Sequence, residues 1–368
     1  MTRILDHFRF LSLGRLYLFV FFAFYSFNVS AQERIKWHTD VLVYGDNTEF
    51  FNPYRDGETL LGTASTVAID VALSDRATLR GGIFVNNRVG STRFAEQVRP
   101  VLSLTVNTGP SKFIFGTLDT VAEDSLLGPD LSGPHGLLPP LQLETLAFTR
   151  PNEGGLQWQL DGARIQQDAW VNWQRLNTAA HRERFDAGIR GRISLETQLP
   201  VSIGYQLHHV HEGGQLFDSG PVSDSFAGGP GVIVEPRIDF LDATSIETYL
   251  LWSKDVPNRA VETPNERGRG WFVRAAATKN GWRGHFIYWS ANLWLKTEGD
   301  PHYGSRFENG TIFHSVRHYN EFGIAKAFYT SDGVSLEGSA RMHKIELDYN
   351  YSFRILARIG FDLPLLSL

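Results

Sequence analysis

The segment His208–Glu212, which reads His-His-Val-His-Glu, concentrates side chains that can do chemistry. Imidazole and carboxylate groups ligate Zn²⁺ or act as acid and base. In an extended chain His209 and His211 share one face, and His208 lies on the other. A nucleophile–base pair also needs a hydroxyl, and the nearest serines fall in the loop predicted to follow: Ser219, Ser223 and Ser225. The sequence therefore predicts no catalytic residue, metal or cofactor, and His209, His211 and Glu212 are candidates only for an alternative, enzymatic function.

A second chemical feature is a set of charged residues that alternate with apolar ones along predicted strands. On a lipid face at the bilayer midplane, each arginine would cost roughly 2–4 kcal/mol, whereas a wet lumen can hydrate and pair it. We expect these residues to line such a lumen, where they either select hydrophilic solutes or pair with one another and stiffen the wall. The set comprises Asp70, Arg80, Asp186, Arg190, Arg192, Arg274, Arg283, Glu337, Arg341, Arg354 and Arg358.

Composition excludes several classes of function. The chain has 368 residues, a formal net charge of −5 and no cysteine. Disulfides, thiolate metal sites and cysteine nucleophiles are therefore absent, and no basic stripe indicates a nucleic-acid partner. The sequence also has no Walker loop and no dinucleotide fingerprint after a strand.

The N-terminus has the pattern of a secretory signal peptide. Arg3, Arg9 and Arg15 precede an uncharged apolar run at Leu16–Phe27, and Val29-Ser30-Ala31 supplies small residues before a cleavage site. The apolar run is too short to span about 30 Å of hydrocarbon. We expect residues 1–31 to be removed and residues 32–368 to form a single domain.

The hairpin Gly270–Leu295 shows most clearly what kind of element positions these residues. Asn280-Gly281 joins two runs of β-type residues, and a two-residue turn there pairs Lys279 with Trp282. One face of the hairpin is apolar along its length, and nothing in the sequence indicates a helix to cover it. Asp332-Gly333 predicts a second such hairpin, in which Ala327 would pair with Gly338 and Tyr329 with Leu336.

The remaining chain reads as short segments of period 2, about 16 in all, separated by glycine, proline and other turn residues. Gln142–Thr149 is predicted to be the sixth strand. Leu156–Leu176 is predicted to be one long strand with a bulge, or an extra hairpin. The connections alternate between tight turns and long loops, which is typical of transmembrane barrels.

With these features, the chain resembles bacterial outer-membrane β-barrel proteins, porins in the broad sense. The resemblance covers Arg34–Leu368 and rests on the signal peptide, the alternating strands and the alternating loop lengths. It implies an all-β, transmembrane, antiparallel up-and-down β-barrel of roughly 14 to 18 strands in the outer membrane of a Gram-negative bacterium. It also implies contact with outer-membrane lipids, lipopolysaccharide and the barrel assembly machinery, and leaves open whether the chain forms a homo-oligomer.

The resemblance favours a channel that passes small hydrophilic solutes rather than an enzyme. By the same resemblance, the third extracellular loop, Leu118–Leu141, would fold into the channel with Glu123, Asp124 and Asp130 as constriction residues. Two alternatives stay open. One is a barrel enzyme, lipase-like or deacylase-like, that uses the His208–Glu212 rim. The other is a closed barrel that acts as a surface adhesin or an envelope assembly factor.

Overall fold

The computed structural model describes residues 34–121, 132–214, 216–217, 220–261, 267–306 and 314–365. The predicted signal peptide, residues 1–31, and the predicted constriction residues Glu123, Asp124 and Asp130 lie outside these ranges.

Sixteen strands form one closed antiparallel barrel, and two further short strands form a hairpin in the first long loop. The barrel strands are β1 (Ile35–Glu49), β4 (Thr59–Ser74), β5 (Ala77–Arg88), β6 (Gln97–Thr108), β7 (Ser111–Thr117), β8 (Gly154–Asp161), β9 (Ile165–Arg175), β10 (Glu183–Leu195), β11 (Val201–Gly213), β12 (Ser223–Val234), β13 (Ala243–Val256), β14 (Arg267–Lys279), β15 (Trp282–Asn292), β16 (Val316–Ser331), β17 (Val334–Ile345) and β18 (Asp348–Pro364). The loop hairpin pairs β2 (Phe51–Asn52) with β3 (Arg55–Asp56).

Helical structure in the described residues is confined to short pieces inside loops. One α-helix, α1, covers Leu146–Thr149, and two 3₁₀ turns cover Pro134–Gly136 and Pro301–Tyr303. Within the described ranges, no helix has the length and apolar character needed to cross a bilayer.

Pairing of the first and last strands closes the barrel. Each barrel strand pairs with its neighbour in sequence, and β1 pairs with β18 in a register that sets Trp37 opposite Leu363. Closure gives every strand two hydrogen-bonded neighbours, so no sheet edge is left unpaired in hydrocarbon. The predicted fold class, an antiparallel barrel of about 16 strands, is confirmed.

The β14–β15 hairpin has the predicted register. Lys279 pairs with Trp282 and Val273 with Tyr288. Asn280 and Gly281 have φ values of 51° and 73°, as a tight turn between right-twisted strands requires.

The strand count is right, although Gln142–Thr149 is wrongly predicted as a strand and Leu156–Leu176 forms the extra hairpin that the sequence left open rather than one long strand. Gln142–Thr149 is not a strand; it contains α1, and Phe148 is buried inside the barrel. Leu156–Leu176 is two strands, β8 and β9, which turn at residues 162–164. Apolar residues that pack inside a lumen and apolar residues that face lipid have the same local pattern, so periodicity alone did not separate them.

One predicted register and one predicted loop also differ. A β-bulge between Ala327 and Tyr329 pairs Ala327 with Glu337 instead of Gly338, while Tyr329 does pair with Leu336. The loop predicted to follow His208–Glu212, in which Ser223 and Ser225 were expected, contains most of β12. Its glycines suggest a loop, but they are needed in the strand, because a Cβ at Gly231 would lie 2.4 Å from Cδ1 of Tyr249.

The two faces of the barrel meet different surroundings. Outward positions carry exposed large apolar side chains, which include Ile69, Ile83, Leu102, Leu250, Phe322 and Ile355. Inward positions are mostly buried and carry most of the buried polar and charged residues. The apolar outer band needs lipid as its solvent, as expected of a membrane barrel.

We predict that Gly270→Ala destabilises the barrel by about 1–3 kcal/mol through overpacking. A Cβ at Gly270 would lie 2.1 Å from Cη2 of the buried Trp289. The measurement is urea unfolding in detergent, followed by the loss of the heat-modifiable electrophoretic mobility of folded barrels. Gly284→Ala is the matched control on the same hairpin, because nothing lies within 4 Å of a Cβ at Gly284. Equal unfolding midpoints for the two variants would contradict the packing assigned to Trp289.

Candidate functional site

Two long loops meet inside the barrel and fill its loop-bearing half. Residues 132–153 follow β7, and residues 293–306 follow β15. The backbone N–H of Leu143 donates to the carbonyl of Glu298 at 2.6 Å, and that of Asp300 donates to Pro139 at 2.9 Å. Trp294 Nε1 donates to the Pro140 carbonyl at 3.3 Å. We call these two segments the plug loops.

The plug loops have an apolar core of their own. Leu137, Leu138 and Leu141 are fully buried and belong to one cluster with aromatic side chains of the inner wall and the second plug loop. Trp289 lies at the centre of this cluster and donates from Nε1 to the Tyr303 carbonyl at 3.0 Å. Packing of this kind excludes water from the part of the lumen that the loops occupy.

Arginines of the wall are neutralised by carboxylates of the plug loops. Glu144 forms an ion pair with Arg341, with nitrogen and oxygen 2.6 Å apart, and accepts a hydrogen bond from Arg354 at 3.0 Å; Arg354 also donates to Asp46 at 2.8 Å. All four side chains are buried. Arg341 and Arg354, which were predicted to line the lumen, therefore contact the first plug loop instead of solvent.

His135 ties the first plug loop to the wall. Its ring stacks on Trp170 with centroids 3.9 Å apart, and its two nitrogens lie 2.7 Å from Asp168 and 3.3 Å from Glu153. Burial alone would lower the pKa of His135, but its hydrogen bonds to Asp168 and Glu153 raise it to about 10. The imidazolium is therefore the form that holds the loop at neutral pH.

The second plug loop carries a partly buried cation, Lys296, close to a buried carboxylate, Glu298. Burial lowers the pKa of Lys296 to about 7. Burial raises the pKa of Glu298, but Arg150 and other nearby cations outweigh the effect of burial and lower this pKa to about 2. Glu298 accepts from Arg150 at 2.8 Å and from Arg184 at 2.9 Å, and His208 and Asp186 lie beside it.

Most of the other predicted lumen charges form ion pairs on the inner wall, either between neighbouring strands or across one intervening strand. The pairs are Arg80–Asp70 at 2.7 Å, Arg358–Asp40 at 2.9 Å, Arg283–Glu337 at 2.9 Å, Arg274–Glu247 at 2.7 Å and Arg192–Glu235 at 3.4 Å. A polar cavity of about 320 Å³ lies between the plug loops and the short-turn rim, and its lining includes Arg190, Arg192, Arg274 and Glu247. Their role in solute selection stays a prediction.

A different group of side chains lies on the outward face near the loop-bearing rim. His209 and His211 of β11 point away from the lumen, whereas His208 is fully buried inside it. His209 Nε2 lies 3.0 Å and His211 Nδ1 lies 2.8 Å from the same Asp224 oxygen, Oδ1. We call these three residues the rim cluster. Arg259 donates from Nε to the other oxygen of Asp224.

The rim cluster is only partly exposed. His211 is held close to the backbone, since a Cβ at Gly213 would lie 2.4 Å from its Nε2. The side chains of His211 and Asp224 are 15% and 16% exposed, and that of His209 is 36% exposed. Water and a lipid headgroup can therefore reach His209 most easily.

Two residues change place relative to the sequence prediction. Glu212 is not a partner of the outward histidines; it pairs with Arg175 and Arg184. Asp224, which no local motif indicated, lies directly opposite His211 on β12. If the sequence had been interpreted as a strand over Ser223–Val234, Asp224 could have been predicted as a partner, because pairing of that strand with β11 places Asp224 beside His211.

No serine lies next to the rim cluster on the outward face of the described residues. Ser225 is buried on the inner side, where its hydroxyl accepts from Thr297 N at 2.8 Å. The nearest outward neighbours of the two histidines across the strands are Phe185, Ala187 and Phe226.

Aromatic and basic side chains surround the rim cluster. Exposed Trp173, Trp252 and Phe226 mark a band at this level, where amphipathic rings sit at the headgroup boundary. In one lateral row His209 pairs with Phe226, Phe226 with Lys254, and Lys254 with Arg267. At roughly 5 Å per strand, Arg267 lies about 15 Å from His209. The exposed basic residues of this face are Lys254, Arg259, Arg267 and Arg269.

The sequence matches one protein family over nearly its whole length. The family is described as lipid A 3'-O-deacylase-type, and its model matches residues 27–364. A search of curated proteins finds no significant match.

Solved structures with a similar fold are outer membrane proteins. A loop-deletion mutant of OmpT from Vibrio cholerae has 12% identity and a TM-score of 0.51 over 89% of this chain and 99% of that chain. In-vitro folded OmpT from the same organism has 11% identity and a TM-score of 0.50 over 89% and 99%. OprD from Pseudomonas aeruginosa has 9% identity and a TM-score of 0.49 over 90% and 94%. The two OmpT matches and the closed barrel show that the chain has the fold of an outer-membrane β-barrel.

We predict that the folded protein forms no discrete channel in planar bilayers, because the plug loops form a buried apolar cluster with the inner wall. Replacement of residues 132–150 by a short Gly-Ser linker should open the lumen and give stepwise conductance. Gly284→Ala, on the outer surface, is the control that should stay closed. Single-channel recording is the measurement, and discrete steps of equal size from the unaltered chain would show that the lumen is open.

We predict that the stabilisation by His135 is pH-dependent. The pKa rises from the ordinary value of 6.5 to about 10 on folding. Its contribution is therefore complete below about pH 6.5 and is lost as pH rises through 10. Lys296 has the opposite dependence, since burial lowers its pKa. The informative quantity is the difference between the native chain and His135→Gln.

Subtilisin cleavage of the first plug loop between pH 6 and 11 measures that difference. His135→Gln should be cleaved faster than the native chain at pH 6 to 8, and the two rates should converge above about pH 10. A rate ratio that stays constant over this range would contradict the charged state assigned to His135.

Proposed function

We propose, from the premise that the chain belongs to the lipid A 3'-O-deacylase-type family, that it hydrolyses an ester bond that attaches an acyl chain to an anionic glycolipid of the outer leaflet. The observation that carries the proposal is the rim cluster, His209, His211 and Asp224, which lies on the lipid-facing side of the barrel at the loop-bearing rim. A substrate embedded in the outer leaflet reaches this face by lateral diffusion, without entry into the lumen.

The level of the cluster suits the ester bonds of a glycolipid. Such bonds lie where acyl chains join the sugar headgroup, which is the level at which tryptophan and tyrosine belts occur. Trp173 and Trp252 lie in this band on either side of the cluster. Lipid A also carries phosphate groups, and the nearby exposed basic side chains Lys254, Arg267 and Arg269 complement that charge.

The side chains of the rim cluster favour water as the nucleophile. Among the described residues no serine lies beside the histidines on this face, so these residues offer no hydroxyl for a covalent acyl intermediate. Ser219 lies outside the described residues. Asp224 holds both imidazoles in position, and Arg259 holds Asp224. Water activated at the cluster attacks the ester carbonyl carbon, the acyl–oxygen bond breaks, and the sugar alkoxide takes up a proton. The products are a free fatty acid and a sugar hydroxyl.

The plug loops weigh against passive diffusion of solutes as the main function. They fill the half of the lumen nearest the long loops, and their arginine partners are neutralised. A deacylase that works from the outer wall needs a stable barrel and no open pore. The plug loops supply that stability without blocking the outward face.

We predict that His209→Ala, His211→Ala and Asp224→Asn each lower ester hydrolysis by about 10²- to 10⁴-fold, the usual contribution of acid–base catalysis. The assay presents lipid A in mixed micelles to folded protein and measures released fatty acid and deacylated product by mass spectrometry.

His318→Ala is the matched control, because His318 is an exposed histidine near the same rim on β16. It should keep full activity. If the native chain hydrolyses lipid A and all three cluster variants do so equally well, the reaction does not take place at the rim cluster. If the native chain does not hydrolyse lipid A at all, the proposed function is wrong.

A further inference from the structure

We propose that the polar cavity between the plug loops and the short-turn rim is a binding site for a neutral saccharide of one or two rings. In outer-membrane barrels the short turns lie on the periplasmic side, so the ligand enters from the periplasm. The rim cluster lies on the outward face at the opposite rim. The inference therefore goes beyond lipid hydrolysis and does not depend on it.

The cavity has a roof and a continuous wall. Ser132, His135 and Gly136 of the first plug loop form the roof, and His135 is held to the wall by Asp168 at 2.7 Å. Inward-facing residues of β7 to β14 form the wall. The volume of about 320 Å³ lies at the lower end of the range of about 300–1,000 Å³ for small-molecule sites. A pocket that the plug loops close on one side can hold a solute without passing it across the membrane.

Glycines of the wall help to keep this part of the lumen open. Gly204 and Gly231 pair with each other on β11 and β12. Tyr249 lies against the wall over both, because a Cβ at Gly204 would lie 2.5 Å from its hydroxyl oxygen and one at Gly231 would lie 2.4 Å from its Cδ1. A tyrosine that lies along the wall leaves space that a tyrosine projecting toward the barrel axis would occupy.

The lining is rich in charged groups but has no net charge when His135 is an imidazolium. The cations are Lys112, His135, Arg190, Arg192 and Arg274, and the carboxylates are Asp119, Asp161, Asp168, Glu235 and Glu247. Four pairs are already formed: Lys112–Asp119 at 3.0 Å, His135–Asp168 at 2.7 Å, Arg192–Glu235 at 3.4 Å and Arg274–Glu247 at 2.7 Å. A ligand with a net charge would find no excess of opposite charge here and would lose its hydration on entry. The charge balance favours a neutral ligand.

Amide side chains stand between the charged groups and join them into a row. Asp161, Gln166 and Arg192 are lateral neighbours on β8, β9 and β10. Gln166 donates to Asp161 at 3.1 Å and accepts from Arg192 at 2.6 Å. Donors and acceptors therefore alternate along the wall at the strand spacing of about 5 Å. A hydroxyl group donates and accepts at once, so it can bind at the outer edge of such a row without separating the groups in it.

Water reaches this lining, and a ligand has to replace its hydrogen bonds. The side chains of Arg192 and Glu235 are 27% and 26% exposed. A ligand that displaces water from such groups gains affinity only if it reproduces the hydrogen bonds of that water. The hydroxyl group is the closest chemical substitute for water, whereas an apolar ligand would leave polar groups without partners. Leu160 and Ile233 are the aliphatic residues of the lining. A hydroxyl-rich saccharide thus fits the cavity better than an apolar or a charged solute.

The test is calorimetric titration of the folded full chain in a detergent without a sugar headgroup. The probes are the neutral disaccharides maltose, cellobiose and N,N'-diacetylchitobiose. At least one of them should bind saturably with one site per chain. Glucose 6-phosphate, glucosamine and the zwitterionic dipeptide Ala-Ala should bind more weakly than that disaccharide.

Two variants of the wall locate the binding. Gln159→Trp should abolish it, because Gln159 lines the cavity and the indole would fill the space. Gln159→Ala/Gln166→Ala should weaken it by about tenfold through the loss of two hydrogen-bonding amides. Gln97→Trp and Gln97→Ala are the matched controls, because Gln97 lies at the loop-bearing end of β6 and outside the cavity. Both controls should bind as the native chain does, and heat-modifiable mobility shows that each variant is folded.

Three results would overturn the proposal. One is the absence of saturable binding by all three disaccharides. Another is binding that Gln159→Trp retains in full, which would mean that the sugar binds outside the cavity. The third is tighter binding of glucose 6-phosphate, glucosamine or Ala-Ala than of any neutral disaccharide, which would mean that the cavity selects a charged ligand. None of these results bears on lipid hydrolysis at the rim cluster.

Discussion

The hydrogen bonds between β1 and β18 are the constraint on which the rest of the structure depends. A sheet that crosses hydrocarbon must pair every backbone N–H and C=O group internally, because lipid supplies no partners. The pairing of Trp37 with Leu363 and of the residues that follow completes the circle of 16 strands. Once the sheet is closed, every strand residue belongs either to a face in contact with lipid or to a face that encloses a lumen.

Closure creates an interior that is too wide for the wall side chains to fill alone. The chain fills the loop-bearing half with two plug loops, whose leucines pack against Trp289 and whose carboxylates meet wall arginines. Buried arginines in such a place are stable only because each has a carboxylate partner, as Arg341 and Arg354 have in Glu144. The half nearer the short turns keeps cross-strand ion pairs and a polar cavity.

Closure of the barrel also decides which reactive side chains face lipid and which face the lumen. Two histidines separated by one residue on β11 must point outward together, and the intervening Val210 is buried in the lumen. Pairing with β12 adds Asp224 on the same face. A lipid substrate meets this face directly, whereas the larger number of ionisable groups inside the barrel is separated from lipid by the wall. The family match and the position of the rim cluster therefore point to the same side of the barrel.

Local sequence patterns were sufficient for the architecture and insufficient for the interior. Alternation of period 2, tight turns such as Asn280-Gly281 and alternating loop lengths determine a membrane barrel, because each depends only on residues close in sequence. They also set His209 and His211 on one face. The packing of residues 142–149 inside the lumen, the strand character of the glycine-rich Ser223–Val234 segment and the meeting of Asp224 with the histidines could not be predicted in this way. Each depends on contacts between distant parts of the chain, and those contacts exist only once the sheet has closed and its registers are set.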